Sequence, residues 1–566
     1  MMWTELPPGL ILLLGGVVAA VAPYHVRKGL MLVLPFVGFW QLIDVPNGDY
    51  AVVSLFGAEL VGSRIDSLSL VWGYIFYIAA LVAGIFHLHV RDRMQDVAAL
   101  TYMGSAIGAI FAGDLITLFI YWELTAVTSV FLIFANRTNA SFRAGIRYLI
   151  VQIASGVLLL GGLIIHWRAT GSINFGNLGL DAPGAVLIFL GFGIKAAFPL
   201  LHNWLQDSYP QATVTGTVFL SSFTTKMAIY TLARGFPGAE ELIWIGAAMT
   251  AFPIFYAVIE NDLRKVLAYS LNNQLGYMVV GVGIGTDLAL NGAAAHAFTH
   301  ILYKGLLFMS MGAVLYRVGT IKGSELGGLY KSMPWTAGFS MVGAASISAF
   351  PLFSGFISKS LIITAAAEEG YWFVWLVLLF ASAGVFHHSG IKIPYFAFFA
   401  WPHQAQKTCK EAPWNMLLAM GIAAAFCIGI GVFPGYLYAI LPYQTDFVPY
   451  TASHVITQLQ LLLFSALAFA WLMRTGLYPP ELKSTVLDFD WVYRKALHRV
   501  WRSTVEWGTE TSGALTGGMR GWVNGVIGVA ARLGRPDGLI GRTSSPGTGV
   551  LWLTAMLGLY LLVFAL

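Results

Sequence analysis

Two segments decide how this chain is read: Lys195-Ala196-Ala197-Phe198-Pro199-Leu200-Leu201-His202-Asn203-Trp204-Leu205, and further on Ala349-Phe350-Pro351-Leu352-Phe353-Ser354-Gly355-Phe356-Ile357-Ser358-Lys359. Both lie inside long apolar runs. Each carries a proline, which removes a backbone donor and clashes with the preceding turn, so helix breaks are predicted at Pro199 and Pro351. Each also carries a lysine, and a charge at mid-bilayer costs roughly 2.5–3.5 kcal/mol on insertion scales, so such a residue marks an ion or proton path. Ala-Phe-Pro-Leu is common to both, at 197–200 and 349–352. The copies fall in spans 7 and 12 of the count below. An odd separation gives them opposite orientations, as in an inverted repeat, and paired broken helices in two halves point to a transport site.

Composition sets the class. Of 566 residues, 57% are hydrophobic and 10% charged, which excludes a soluble domain and fits a polytopic membrane protein. Cys409 and Cys427 are the only cysteines, so no CxxC motif, zinc framework or iron–sulfur ligand set is present, and no cofactor or metal is expected. The formal charge of +5 is explained by basic loops rather than by a nucleic-acid partner. The first apolar run, Gly9 to Ala22, lacks a basic flank and an Ala-x-Ala site, and is read as span 1 rather than a cleaved signal.

At about 20 residues per crossing, the chain is read as an all-α polytopic membrane protein of about 16 transmembrane helices, among them span 7 over 183–206, span 8 over 213–235, span 10 over 266–284, span 11 over 288–317, span 12 over 336–366 and span 13 over 371–400. The alternating stretch 50–62 is read as an external hairpin or surface element. Basic residues test the count. With the N-terminus outside, inner loops receive Arg27 and Lys28, Arg91 and Arg93, Arg137 and Arg143, Arg264 and Lys265, Arg317, Lys322 and Lys331, Lys407 and Lys410, and the run from Arg474 to Arg542. Outer loops keep Arg64, Arg168 and Arg234. This asymmetry predicts an even number of spans with both termini outside. The expected organisation is spans 1–3 over residues 1–95, a first inverted five-helix repeat over 96–235 and a second over 236–402. Spans 14–15 follow over 403–476, then an amphipathic interfacial segment over 477–547 and a terminal span over 548–566. In the amphipathic segment Val492, Tyr493, Ala496, Leu497, Val500 and Trp501 form one arc, and Arg494, Lys495, His498, Arg499 and Arg502 the other. Its glycines, Gly508 to Gly525, leave a single continuous helix open.

Charges inside the spans supply the chemistry. Glu123 is read as the only carboxylate deep in a span, with Asp114 and Asp207 at span ends, and Lys195 is its natural partner. Burial drives a lysine toward the neutral form and a nearby carboxylate opposes this, so relative motion of Glu123 and Lys195 would make that lysine hold or release a proton. Lys226 follows in span 8, and span 11 carries His296, His300 and Lys304 on one helix face, a relay suited to imidazole. Lys359 ends the row, with waters bridging gaps. His202 could link it to the inner surface, and Lys392 is as open to snorkelling at the end of span 13 as to conduction. Blander readings are buried ion pairs that fix packing, or histidines, including His387 and His388, that ligate a metal or haem.

At these residues the chain resembles a known family. Trp122-Glu123, the Lys195 segment, Thr-Thr-Lys226-Met-Ala-Ile-Tyr, His296-Ala-Phe-Thr-His300-Ile-Leu-Tyr-Lys304-Gly-Leu-Leu-Phe and Phe350-Pro-Leu-Phe-Ser-Gly-Phe-Ile-Ser-Lys359 resemble the antiporter-like subunits of respiratory complex I and of Mrp-type sodium/proton antiporters, over about residues 65–435. With Lys226 and Lys359 both lysine, it looks most like the D-type member of the Mrp antiporters. The extra span and amphipathic connector resemble the extended complex I subunit with its lateral helix. Tyr-Ser-Leu-Asn272-Asn273-Gln-Leu-Gly departs from the family's usual span 10. The resemblance implies that Glu123 and Lys195 are the coupling pair, Lys226 a bridge, Lys304 the centre of the second half and Lys359 the terminal site.

The leading expectation is an ion-translocating subunit of a multi-subunit monovalent cation (sodium)/proton antiporter. Its partners would be other membrane subunits, lipid, protons and sodium. The alternatives are a proton-pumping subunit of a complex I-like quinone- or ferredoxin-linked oxidoreductase with redox chemistry on other chains, an energy-coupled inorganic-carbon uptake module, or a non-conducting scaffold. The first alternative alone would make the chain part of an enzyme.

Overall fold

A computed structural model describes residues 6–55, 57–400, 409–483, 486–511, 524–525, 527–532 and 546–565. Lys407, Arg542 and the glycines at 513, 517, 518 and 521, which entered the sequence reading, lie outside the described residues. The chain divides into two units, Met1–Val486 and Leu487–Leu566.

The first unit opens with α1 (Leu10–Val21) and α2 (Tyr24–Gln41). An antiparallel hairpin follows, β1 (Gly48–Leu55) with β2 (Ala58–Ile65), at the stretch whose alternation set it apart from a crossing. Asp66 caps α3 (Ser67–His87), accepting from the Ser69 amide while Ser69 returns a bond to the Asp66 amide. Next come α4 (Arg93–Phe111), α5 (Leu115–Phe134) and the 32-residue α6 (Asn139–Thr170). Asp114 caps α5 through the amides of Ile116 and Thr117.

From here the predicted spans 7, 8 and 12 are broken into pieces. Span 7 is α7 (Ala185–Lys195) and α8 (Asn203–Ser208); span 8 is α9 (Val214–Ser222) and α10 (Thr224–Gly235). Three continuous helices follow, α11 (Glu240–Ile259), α12 (Leu263–Ile284) and α13 (Asp287–Val318). Gly246 and Gly276 let α11 and α12 touch: a Cβ on either would come within 2.6 Å of the other helix's backbone. Span 12 is α14 (Pro334–Ile347) and α15 (Ser354–Glu368). Then α16 (Trp372–Val385) loosens into two π-helical stretches, Phe386–Lys392 and Tyr395–Phe399. The unit closes with α17 (Trp414–Val432), α18 (Pro434–Tyr438) and α19 (Ala452–Thr475).

Among the described residues, eight helices are long and apolar enough to cross a membrane. The broken spans fall short of that length for a physical reason: each stops at a helix cap inside the protein, where other chain segments, not water, must satisfy the freed backbone groups. The second unit holds α20 (Leu497–Thr511), preceded by a π turn at Val492–Ala496, and a helix at Pro546–Ala565. Leu497, Val500 and Trp501 are exposed there.

Candidate functional site

The two Ala-Phe-Pro-Leu segments form the same turn. In the first, the Phe198 amide donates to Gly193 O (3.0 Å) and the Ala197 amide to Ile194 O (3.1 Å); in the second, Phe350 donates to Ala345 O (3.0 Å) and Ala349 to Ser346 O (3.1 Å). This pair of bonds is the Schellman helix end. Its left-handed position, usually glycine, is Ala197 (φ 62°) in one copy and Ala349 (φ 56°) in the other, followed by Leu200 (φ 70°) and Leu352 (φ 72°). The helices therefore end before the prolines, and Pro199 and Pro351 prevent resumption rather than cause the stop.

Lys195 is the last residue of α7 and is fully buried. Its ammonium donates to the carbonyl of Trp122 (2.6 Å) and lies 4.4 Å from the centre of that indole. Glu123, the next residue on α5, forms no ion pair with it, although the two are within electrostatic reach. Glu123 Oε1 is buried with no hydrogen-bond partner among the described residues. It occupies a niche on α6 that exists because residue 156 is glycine, where a Cβ would sit 1.5 Å from that oxygen. The expected partners are adjacent but apart.

Lys226 stands in the first turn of α10. The helix breaks at Phe223; the Thr224 amide goes to Tyr102 Oη (3.0 Å), and Lys226 Nζ donates to Ser221 O (2.5 Å), a carbonyl at the end of α9. Lys359 does the same across the second break, donating to Ile347 O (2.7 Å) at the end of α14. Helix C-termini present orphan carbonyls and partial negative charge, which suits a buried ammonium.

On α13, His296, His300 and Lys304 are wholly buried. His296 Nδ1 meets Ser358 Oγ at 3.0 Å and its Nε2 meets Tyr303 Oη at 3.3 Å; Tyr303 also donates to Gln274 Oε1 (3.1 Å). Both nitrogens of His300 and the ammonium of Lys304 have no hydrogen-bond partner among the described residues. Lys226, His296, His300, Lys304 and Lys359 share one electrostatic field. Asn272 and Asn273, singled out in span 10, are buried beside this group: Asn273 Oδ1 accepts from Gln274 Nε2 (2.6 Å), its amide donates to Thr250 O, and Asn272 has no side-chain partner among the described residues.

The two remaining sequence candidates separate. His202 lies in the turn before α8 with its ring against Phe252, centroids 4.6 Å apart. Lys392 does not snorkel: it is fully buried, donates to Val258 O (2.6 Å) and Glu260 O (2.7 Å) at the C-terminal end of α11, and pairs with Glu481 at 2.9 Å. A buried carboxylate also escaped the sequence reading. Asp96 of α4 binds Arg27 (2.8 Å), Lys28 (2.5 Å) and His87 (2.9 Å), and His87 continues to Thr215 Oγ1 (2.8 Å). Arg27 and Lys28, read as loop markers, are in this cluster and buried.

Broken helices enclosing buried lysines and a carboxylate define a polytopic membrane protein with charged groups inside its spans. Residues 112–386 match the family described as NADH:quinone oxidoreductase/Mrp antiporter, transmembrane. The chain is 32% identical over 351 residues to the N-type subunit of the NADH-quinone oxidoreductase of Desulforudis audaxviator, covering 58% of this chain and 70% of that one. To the D-type subunit of the Na(+)/H(+) antiporter of Alkalihalophilus pseudofirmus it is 30% identical over 355 residues, with 59% and 72% covered. To hydrogenase-4 component B of Escherichia coli it is 27% identical over 424 residues, 66% of this chain and 62% of that protein. The chain belongs to the NADH:quinone oxidoreductase/Mrp antiporter family. Its fold is also that of a chain in the Mrp complex from Dietzia sp. DQ12-45-1b (TM-score 0.70, 20% identity, 80% of this chain and 99% of that one). A chain of the archaeal membrane-bound sulfane sulfur reductase matches over 93% of this chain and 99% of that one (TM-score 0.75, 22% identity). The protein is a multi-pass membrane protein with the fold of chains in the Mrp complex and in an archaeal respiratory membrane complex.

Proposed function

We propose that the chain is the ion-translocating subunit of a multi-subunit monovalent cation/proton antiporter, sodium being the cation of the leading reading, in a prokaryotic plasma membrane with both termini outside. One observation carries this: Lys195 is held on the carbonyl of Trp122 while the neighbouring Glu123 carboxylate sits unpaired in the Gly156 niche. A short movement of either side chain would close or open the pair. Closed, the carboxylate stabilises the ammonium; open, desolvation favours release of its proton. That proton would pass to Lys226, through His300 and His296 to Lys304, and on to Lys359, with water bridging the unpartnered nitrogens. The two five-helix repeats, 96–235 and 236–402, would each contain one Ala-Phe-Pro-Leu break and one portion of the row.

A second reading, a proton-pumping subunit beside redox chains, is favoured by relatives named for NADH-quinone oxidoreductase and hydrogenase-4. Both readings use the same row. Everted vesicles from a host lacking its own antiporters, carrying the whole complex, test the first: Lys195→Ala and Glu123→Ala each should abolish cation-dependent proton movement. Unchanged fluorescence dequenching at normal expression would remove that pair from the path, and identification of co-purifying subunits separates the two readings.

A further inference from the structure

The π-helical stretch after α16 carries His387, His388, Ser389 and Lys392. Irregular helix of this kind recurs at functional sites because it re-aims side chains. His388 is fully buried; its Nδ1 contacts Ser389 Oγ (2.8 Å), which contacts Ser270 Oγ (2.8 Å), and its Nε2 has no hydrogen-bond partner among the described residues. It lies within the field of Lys304, Lys359 and Lys392 together. No other imidazole in the described cluster spans the central row and Lys392 in this way.

Beyond Lys392 a short strap of chain covers its ammonium. After α19 ends at Gly476, the Tyr478 ring stacks on His387 (5.5 Å) and packs against Phe469 (5.2 Å). Glu481 then enters, 6% exposed, and meets Lys392 at 2.9 Å. Lys483 fastens the strap to Glu325 at 2.7 Å. Two carboxylates face Lys392 from this side, and they differ. Glu260 is committed: Oε1 accepts the amides of Asn261 (2.9 Å) and Asp262 (3.1 Å), and Oε2 pairs with Lys265 (2.9 Å). Glu481 has Lys392 alone among the described residues. Burial raises its proton affinity and Lys392 opposes this.

We infer that Lys392 and Glu481 form a proton-transfer pair joining the buried row, through His388, to the face that carries Lys265 and Lys322. The step is balanced within the pair: an N–H bond of the Lys392 ammonium breaks, an O–H bond forms on Glu481, and both residues become neutral. The strap then gives the proton to solvent and the carboxylate re-forms. This rests on the proton-row reading and extends it to a residue outside the spans.

The test uses the whole complex in everted vesicles. Glu481→Gln keeps shape and removes the exchangeable proton, and should cut proton flux by about tenfold or more, the low end of what a positioned acid–base group contributes. Glu481→Asp should retain flux with a displaced pH profile, and His388→Asn should lower it as Glu481→Gln does. Wild-type flux in Glu481→Gln at every pH would overturn the pair. If that variant does not accumulate, infrared difference spectra on a pH step decide: a protonated-carboxyl band that shifts in Glu481→Asp supports the pair, and its absence overturns it. Wild-type vesicles without cation-dependent proton movement would instead remove the antiport reading, which the infrared result does not depend on.

Discussion

The two Ala-Phe-Pro-Leu breaks share one backbone and use it from opposite sides. In the first, the lysine precedes the break, as the last residue of α7; aligned on the left-handed alanines, its counterpart in the second is Ile347. In the second, the lysine follows the break, at Lys359; its counterpart in the first is Asp207, bound by Arg147 at 2.7 Å. The helix ends before the two turns are also met differently. Ile194 O, which accepts the Ala197 amide, accepts the neutral indole of Trp204 as well (2.9 Å), whereas one residue further along the turn in the second copy Ile347 O accepts the Lys359 ammonium (2.7 Å). Lys359 is held by its own break, whereas Lys195 is held by α5, beside Glu123. Under the proposed function the first break would serve switching and the second would hold charge.

The largest effect should come from removing proton exchange while keeping charge. Arginine does not deprotonate, so Lys195→Arg should lose transport as fully as Lys195→Ala, on the order of 100-fold, measured as vesicle proton flux. Retained flux in Lys195→Arg would end the switch reading. Next, Gly156→Ala should place a methyl where Glu123 Oε1 sits and reduce flux by about tenfold, with partial recovery when Glu123→Asp shortens the acid; no recovery would mean the niche is only packing. Smaller again, Ala197→Gly and Ala349→Gly relieve left-handed alanines at the cost of glycine's flexibility. Each should stabilise by up to ~1 kcal/mol, read as a raised thermal midpoint of the purified complex, and unequal gains would show that the breaks are not equivalent.

The smallest effect belongs to the ion pair of Lys483 with Glu325. Hydrogen bonds from Lys483 and Thr320 hold the Glu325 carboxyl down at about 2. A depressed carboxylate stabilises fully above its unfolded value of ~4.3 and loses this as pH falls toward 2. The wild type should therefore exceed Lys483→Ala by less than ~1 kcal/mol, constant from about pH 7 to 5 and fading below. Thermal midpoints across that range measure it.

The sequence exposes what is anomalous against an apolar background. Lysines within spans, the paired prolines and the alternation at 50–62 stand out because each violates the pattern around it. Partnerships across space do not. The break at Phe223 lies in Ser-Ser-Phe-Thr-Thr, without proline or glycine, and its only trace is a run of hydroxyl residues that can bond backbone. Asp96 reads as an ordinary first-turn acid of α4 until folding brings Arg27, Lys28 and His87 to it. Glu481, after Pro479-Pro480, reads as loop, and nothing local announces that it meets Lys392. The break positions were also only partly legible, because Schellman bonds, set by the residues before the prolines, end the helices first.

The π-helical stretch has a consequence for comparing this chain with its relatives. A ring closed by an i→i+5 bond holds one residue more than the α turn it replaces, so two chains can rise through the same height with different numbers of residues. Residue-by-residue correspondence is then lost at the point where the geometry changes. The family match ends at residue 386, where the first π stretch begins. Opposite a relative that keeps an α-helix there, counting onward from the last matched position would put the wrong residue opposite Lys392, and the equivalent of this lysine would be found by superposed position rather than by aligned letter.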